Sequence, residues 1–155
     1  MSQYKLKTKE FIFSEMLKIQ KALVQHFETS LGMTEADAQI DTESGFGGEA
    51  EARREANMEI LQAEKPHYEQ NMHDLHLLEN MIAHQEEAIQ IAPGAVVLTD
   101  SLNFVIGVSM PTFDVENKAY IGISTHAPIY ASLVNKHIGD TAYFGKHAYL
   151  IEDIF

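Results

Sequence analysis

Over the first ninety residues helix-breaking residues cluster at one place only, Asp41-Thr-Glu-Ser-Gly-Phe-Gly-Gly48, and that cluster separates two long stretches with helical apolar spacing. Before it, Phe13, Leu17, Gln20, Val24, Phe27 and Leu31 step by four and three, and Ile12, Met16, Ile19 and Leu23 widen the stripe. After it, Met58, Leu61, Lys65, Tyr68, Met72, Leu75, Glu79 and Ile82 recur at heptad intervals with polar interruptions. Two helices with one apolar seam each bury those seams by pairing, and Gly45, Gly47 and Gly48 give the backbone the freedom to reverse. The spacing therefore predicts an antiparallel helical hairpin, a coiled coil from about Thr8 to about Ile89, with its tip near residues 42–48. Helices of roughly 35–40 residues, at about 1.5 Å per residue, make a rod on the order of 50 Å long. Pro66 lies inside the second helix and predicts a kink or local break near Glu64 and Lys65, because proline removes a donor and crowds the preceding turn.

The pattern changes at Ala92-Pro93-Gly94. From there β-type runs alternate with turn signals: Ala95–Leu98, Leu102–Val108, Lys118–Ile123, Thr141–Phe144 and Ala148–Ile151. Pro128 to Asn135 interrupts them with helical spacing and a proline at its start, and Gly139 closes the following turn. The expected fold class is α+β: a helical hairpin arm over residues 1–91, then a small antiparallel sheet domain of about five strands and one short helix over residues 92–155. A chain of 155 residues has room for that and not for two large cores.

Charge narrows the function classes. The formal charge of −12 disfavours direct binding to duplex DNA, where lysine and arginine displace counterions. Residues 28–64 carry ten Asp or Glu against only Arg53 and Arg54, so the acid is concentrated where it can be steered into a positively charged cleft. The same run also reads as a solvated helix surface that maintains solubility. The absence of cysteine, of an apolar run of signal length and of any stretch of about 18 apolar residues predicts an unexported, cytoplasmic protein with no membrane association.

The stretch Ile121-GISTHAPIYASLVNKHIGD-Thr141 resembles the C-terminal domain of bacterial transcription elongation factors of the Gre family. The features that carry the likeness are Ile123-Ser124 at a strand end, Ala127-Pro128-Ile129 opening a short helix, Leu133 on it, and Lys136, Gly139 and Asp140 before the last hairpin. The ending Tyr149-Leu-Ile-Glu-Asp-Ile154 is similar to the family's last strand, and the family also places a long helical hairpin before an FKBP-like sheet domain. The resemblance implies that the sheet domain docks on the rim of the secondary channel of RNA polymerase, with Ser124, Pro128, Ile129, Lys136, Gly139 and Asp140 contributing to the docking surface. It implies further that acidic tip residues reach the polymerase active site, contact the RNA 3′ end indirectly, and help to hold a Mg²⁺ shared with the polymerase, which then cleaves the transcript of a backtracked complex. The chain itself would be a cofactor of the polymerase without independent catalytic activity.

On this sequence the tip carboxylates are Asp41, Glu43, Glu49 and Glu51, with Asp41 and Glu43 as the metal-holding pair. Carboxylate oxygens suit Mg²⁺, which is commonly held by one or two of them together with phosphate. The tip departs from the family pattern of Gly-Asp, two residues, Glu-Asn, since Asp41 and Glu43 lie two apart. A factor that occupies the channel without promoting cleavage is therefore the alternative reading. A stand-alone enzyme is the contrasting one, through a metal site on the His73-Asp-Leu-His76 helix with Glu64 and His67, or through a prolyl-isomerase-like aromatic groove of Tyr120, Tyr130, Tyr143, Phe144 and Tyr149. The plainer readings are surface histidines and a sheet core.

Overall fold

The computed structural model describes the backbone of residues 2–44 and 48–155, and the side chains of residues 2–32 and 48–155. The chain is α+β: helices α1 (Gln3–Ser44) and α2 (Gly48–Ala83) precede strands β1 (Val96–Thr99), β2 (Asn103–Ile106), β3 (Met110–Val115) and β4 (Lys118–Ile123), the short helix α3 (Pro128–Leu133), and strands β5 (Thr141–Phe144) and β6 (His147–Ile154). Two compact units emerge, one formed by Met1–Leu17 with His76–Phe155 and the other by Lys18–Leu75.

In the unit Lys18–Leu75 the two helices pair antiparallel, as their side-chain partners show. Gln20 meets Asn71, Phe27 stacks on His67 with ring centroids 6.4 Å apart, and Ser30 donates to Glu64 at 2.7 Å, so the index rises on one helix as it falls on the other. Gln20 is fully buried, and its Nε2 donates to both the backbone oxygen of Asn71 (2.9 Å) and its side-chain oxygen (3.1 Å). A buried amide that finds both acceptors in only one alignment fixes the register of an otherwise apolar seam.

The heptad count slips on α2. The buried positions are Leu75, Leu78 and Met81, and Glu79 is exposed where strict seven-residue spacing had placed it in the seam. The buried face steps by three from Leu75 to Leu78, not by four to Glu79, so the seam takes the apolar residue and leaves the charged one in solvent. The helix also runs unbroken through Pro66. Pro66 and Gln62 are both exposed, so the carbonyl deprived of its donor faces solvent and the break is avoided. At its end α2 stops at Ala83, six residues before the expected limit, because the chain turns to bury Ile91 in the sheet core with Ala88 packed against it. At the start, Ser2 accepts from the Lys5 backbone N–H (3.3 Å), a capping contact that lets α1 begin five residues before Thr8.

The sheet unit contains one six-stranded sheet in the order β3-β4-β2-β1-β6-β5, one strand more than expected. Every neighbouring pair is antiparallel except β2 and β4, which run parallel with Phe104 opposite Ile121. The strand missing from the sequence reading, β3, contains Pro111, which sits at the sheet edge where a lost donor is tolerated. Val115 and Lys118 close the β3–β4 hairpin over Glu116 (φ 51°) and Asn117 (φ 63°), the two left-handed residues of a type I′ turn. The core gathers Val97, Phe104, Ile106, Ile123, Leu133, Tyr149 and Ile151, with Phe104 edge-on to Tyr149 at 5.2 Å.

Both helix roots are tied to this sheet. Lys5 on α1 forms an ion pair with Asp153 on β6 at 2.7 Å. Met81 near the end of α2 lies over Gly107, where φ is 134° and a Cβ would stand 2.7 Å from the methionine sulfur. Gly122 in β4 is tighter still, since a Cβ there would meet the Val108 carbonyl oxygen at 2.3 Å. Gly122→Ala is expected to destabilise the protein by about 2 kcal/mol or more, because the obstacle is backbone and cannot rotate away. Urea denaturation checks this, and a change below about 0.5 kcal/mol would contradict the close approach.

Lys9 on α1 is only 2% exposed, and its Nζ donates to the Glu86 backbone oxygen at 3.1 Å. Burial pushes the ammonium below its ordinary value of 10.5. The charged form is thus penalised in the folded state, fully below the folded pKa, and the penalty disappears as pH rises toward 10.5. Lys9→Met is expected to stabilise the protein near neutral pH by about 1 kcal/mol, with the gain shrinking as pH approaches 10. Thermal melts of both proteins across that range test the sign, and a gain that grows with pH would refute it.

Candidate functional site

The segment between β4 and β5 brings the six expected docking residues into one stretch of surface and shows how each is held. Ser124 is half-buried at the end of β4, and its carbonyl accepts from the Ala127 N–H at 3.1 Å, turning the chain toward α3. Ala127 is extended (φ −67°, ψ 137°) and Pro128 occupies the first helical turn, where a missing donor costs nothing. Leu133 is fully buried and seats α3 on the sheet, with Ile129 and Tyr130 packed partly against the same core. Pro128 is exposed on this short helix.

The exit from α3 is built by hydrogen bonds. The Val134 N–H donates to the Tyr130 carbonyl (2.8 Å) and the Lys136 N–H to the Leu133 carbonyl (3.1 Å). Gly139 adopts φ 92°, a left-handed conformation that favours glycine, and its N–H reaches the Ile151 carbonyl on β6 at 2.8 Å. Asp140 works from both ends: its Oδ2 accepts from the His137 N–H (2.8 Å) and its carbonyl accepts from the Ile151 N–H (2.9 Å). Gly139 and Asp140 thus shape the turn into β5, while Pro128 and the half-buried Ile129 and Lys136 offer side chains around it.

Asp41 and Glu43, the expected metal-holding pair, have side chains outside the described residues. Glu49 and Glu51 lie exposed in the first turn of α2, where negative charge is favoured by the helix dipole. Residues two apart on a helix point roughly 200° away from each other. Glu49 and Glu51 therefore do not converge on one ion, and among the described residues no group of three or more His, Asp or Glu is placed to hold a metal. On the second helix, Glu64 and His67 are engaged across the helix pair with Ser30 and Phe27, and His73 and His76 are exposed. No helix of the described residues is long and apolar enough to cross a membrane.

Among the aromatics offered for a groove, Tyr120 and Tyr149 are buried in packing contacts, whereas Tyr143 is 70% exposed. Tyr120 stacks on Phe113 with centroids 5.9 Å apart, and its burial raises its hydroxyl above the ordinary value of 10.0.

Comparison with known proteins yields no relative. No family model, no curated protein and no solved structure matches the chain.

Sequence reasoning did not single out Lys9, which the structure buries beside a cleft. The only signal was its position next to Ile12 and Phe13 on the apolar side of α1.

Asp140→Ala is expected to cost about 1 kcal/mol, because it removes the acceptor for the His137 N–H at a turn that also carries the β5–β6 hairpin. A urea titration that shows no loss would mean that Gly139 alone sets the turn.

Proposed function

We propose that the chain is a Gre-type regulator of bacterial RNA polymerase, which docks at the rim of the secondary channel and presents the acidic 41–51 stretch to it. The observation that carries this reading is the antiparallel helix pair locked by Gln20 and Asn71, joined in one chain to a sheet unit that bears the Pro128 helix and the Gly139-Asp140 turn. The charge distribution supports it. Ten acids against two arginines in residues 28–64 suit a basic channel, and attraction of that kind speeds encounter and weakens with salt. The protein is a cofactor of the polymerase in this reading, and its sheet unit supplies the anchorage.

Channel occupancy is the part of the reading with most support. Asp41 and Glu43 lie two apart, a departure from the family's three-residue spacing of its tip acids, which favours a factor that fills the channel over one that grips a catalytic ion. Stimulated cleavage is the second reading, and it rests on Asp41 and Glu43.

Backtracked elongation complexes with purified polymerase separate these outcomes when binding and transcript length are read together. Salt-sensitive binding with unchanged transcript length is the expected result and identifies an occupying regulator. Shortened transcripts that return to full length with Asp41→Ala and Glu43→Ala, while binding persists, would identify a cleavage factor instead. Absence of binding at low salt would end the polymerase reading.

A further inference from the structure

A cleft of about 510 Å³ opens in the sheet unit, lined by Lys9, Asn80, His84, Glu86, Gln90 and Pro93 among others. Lys9 is the one lysine of its lining and is 98% removed from solvent, being 2% exposed. Its Nζ has one protein acceptor, the Glu86 carbonyl at 3.1 Å, and lies 5.8 Å from the centre of the Phe13 ring. Among the described residues no carboxylate stands within ion-pair distance of it. An ammonium has three donors, so two of them find no protein acceptor here. A buried amine without a counter-charge is costly to keep, and proteins place such lysines where the neutral amine has work to do.

We propose that Lys9 is a carbonyl-reactive amine and that the cleft admits small uncharged aldehydes or ketones, which condense with Nζ to form an imine. The lining selects the ligand class. Besides Lys9 its charged members are Glu86 and Glu87, in a protein of formal charge −12, so with Lys9 neutral the lining offers an anionic ligand no positive charge. In the reaction the Nζ lone pair attacks the carbonyl carbon and forms the C–N bond. The carbonyl oxygen then leaves as water with the two hydrogens of the amine, and C=N replaces C=O. His84 also lines the cleft, with its Nδ1 2.9 Å from the Asn80 carbonyl. Burial favours the reaction, since it raises the share of neutral amine at neutral pH. The inference does not rest on the polymerase reading, because it uses residues of the sheet unit alone.

Competition among the lysines of the folded full-length chain tests it. The protein is treated briefly at pH 7 with pentanal and cyanoborohydride, which reduces an imine to a stable N-pentyl amine, and the sites are read by peptide mass spectrometry. Lys9 is expected to be alkylated at least about threefold faster than the exposed Lys18, Lys21 and Lys146, with the preference abolished in denaturing urea. Alkylation of Lys9 no faster than of those three in the folded chain would overturn the proposal. A preference that survives in urea would do the same, since it would belong to the local sequence and not to the cleft. Lys9→Arg, checked for folding by circular dichroism, is expected to lose the fast adduct. Should that variant not fold, the wild-type competition decides alone.

Discussion

The helices of this protein depend on how their roots are held. Lys5 reaches Asp153 at 2.7 Å from the first turn of α1, and Met81 occupies, from the last turn of α2, the space a side chain at Gly107 would need. Both contacts lie in the unit that contains the sheet. Within the unit Lys18–Leu75, antiparallel pairing is the arrangement that buries both helix seams. Gln20 and Asn71 then settle the alignment within that pairing. A two-helix element has little core per residue, so a buried amide with two acceptors contributes more to a unique register than it would inside a large domain.

Much of this was legible in the chain itself, and the misreadings have physical causes. The breaker cluster at 41–48 and the two apolar stripes announced the helix pair. Strands β4 and β5 were read to the residue, because the β-branched and aromatic runs Lys118–Ile123 and Thr141–Phe144 are bounded by clear turn residues. β3 was missed because Pro111 weighs against a strand wherever edge position is unknown, and edge position is a property of the assembled sheet. The slip from Glu79 to Leu78 is a step of three where a step of four was expected, and burying Leu78 leaves the charged Glu79 in solvent. The early stop of α2 was set by the tertiary demand to bury Ile91, which no local propensity encodes.

The candidate site was legible unevenly. The motif between Ser124 and Asp140 carries its own geometry: a proline for the first helical turn, a leucine for the seat and a glycine for the left-handed exit. Several of these residues thus serve the fold first, and the side chains left at least partly at the surface around α3 include Pro128, Ile129 and Lys136. Lys9 shows the opposite case. A lysine flanked by Thr8 and Glu10 carries one faint signal, its helical spacing to Ile12 and Phe13, and burial without a counter-charge is what sets it apart.

The strand order leaves β3 and β5 as the two margins of the sheet, and they are not equivalent. Pro111 has no N–H to offer, so β3 presents an interrupted ladder to any incoming strand. β5 contains no proline, and its Tyr143 stands out into solvent beside it. The two margins therefore differ: β3 lacks one backbone donor, whereas β5 keeps all of its own and has the short helix α3 packed against it.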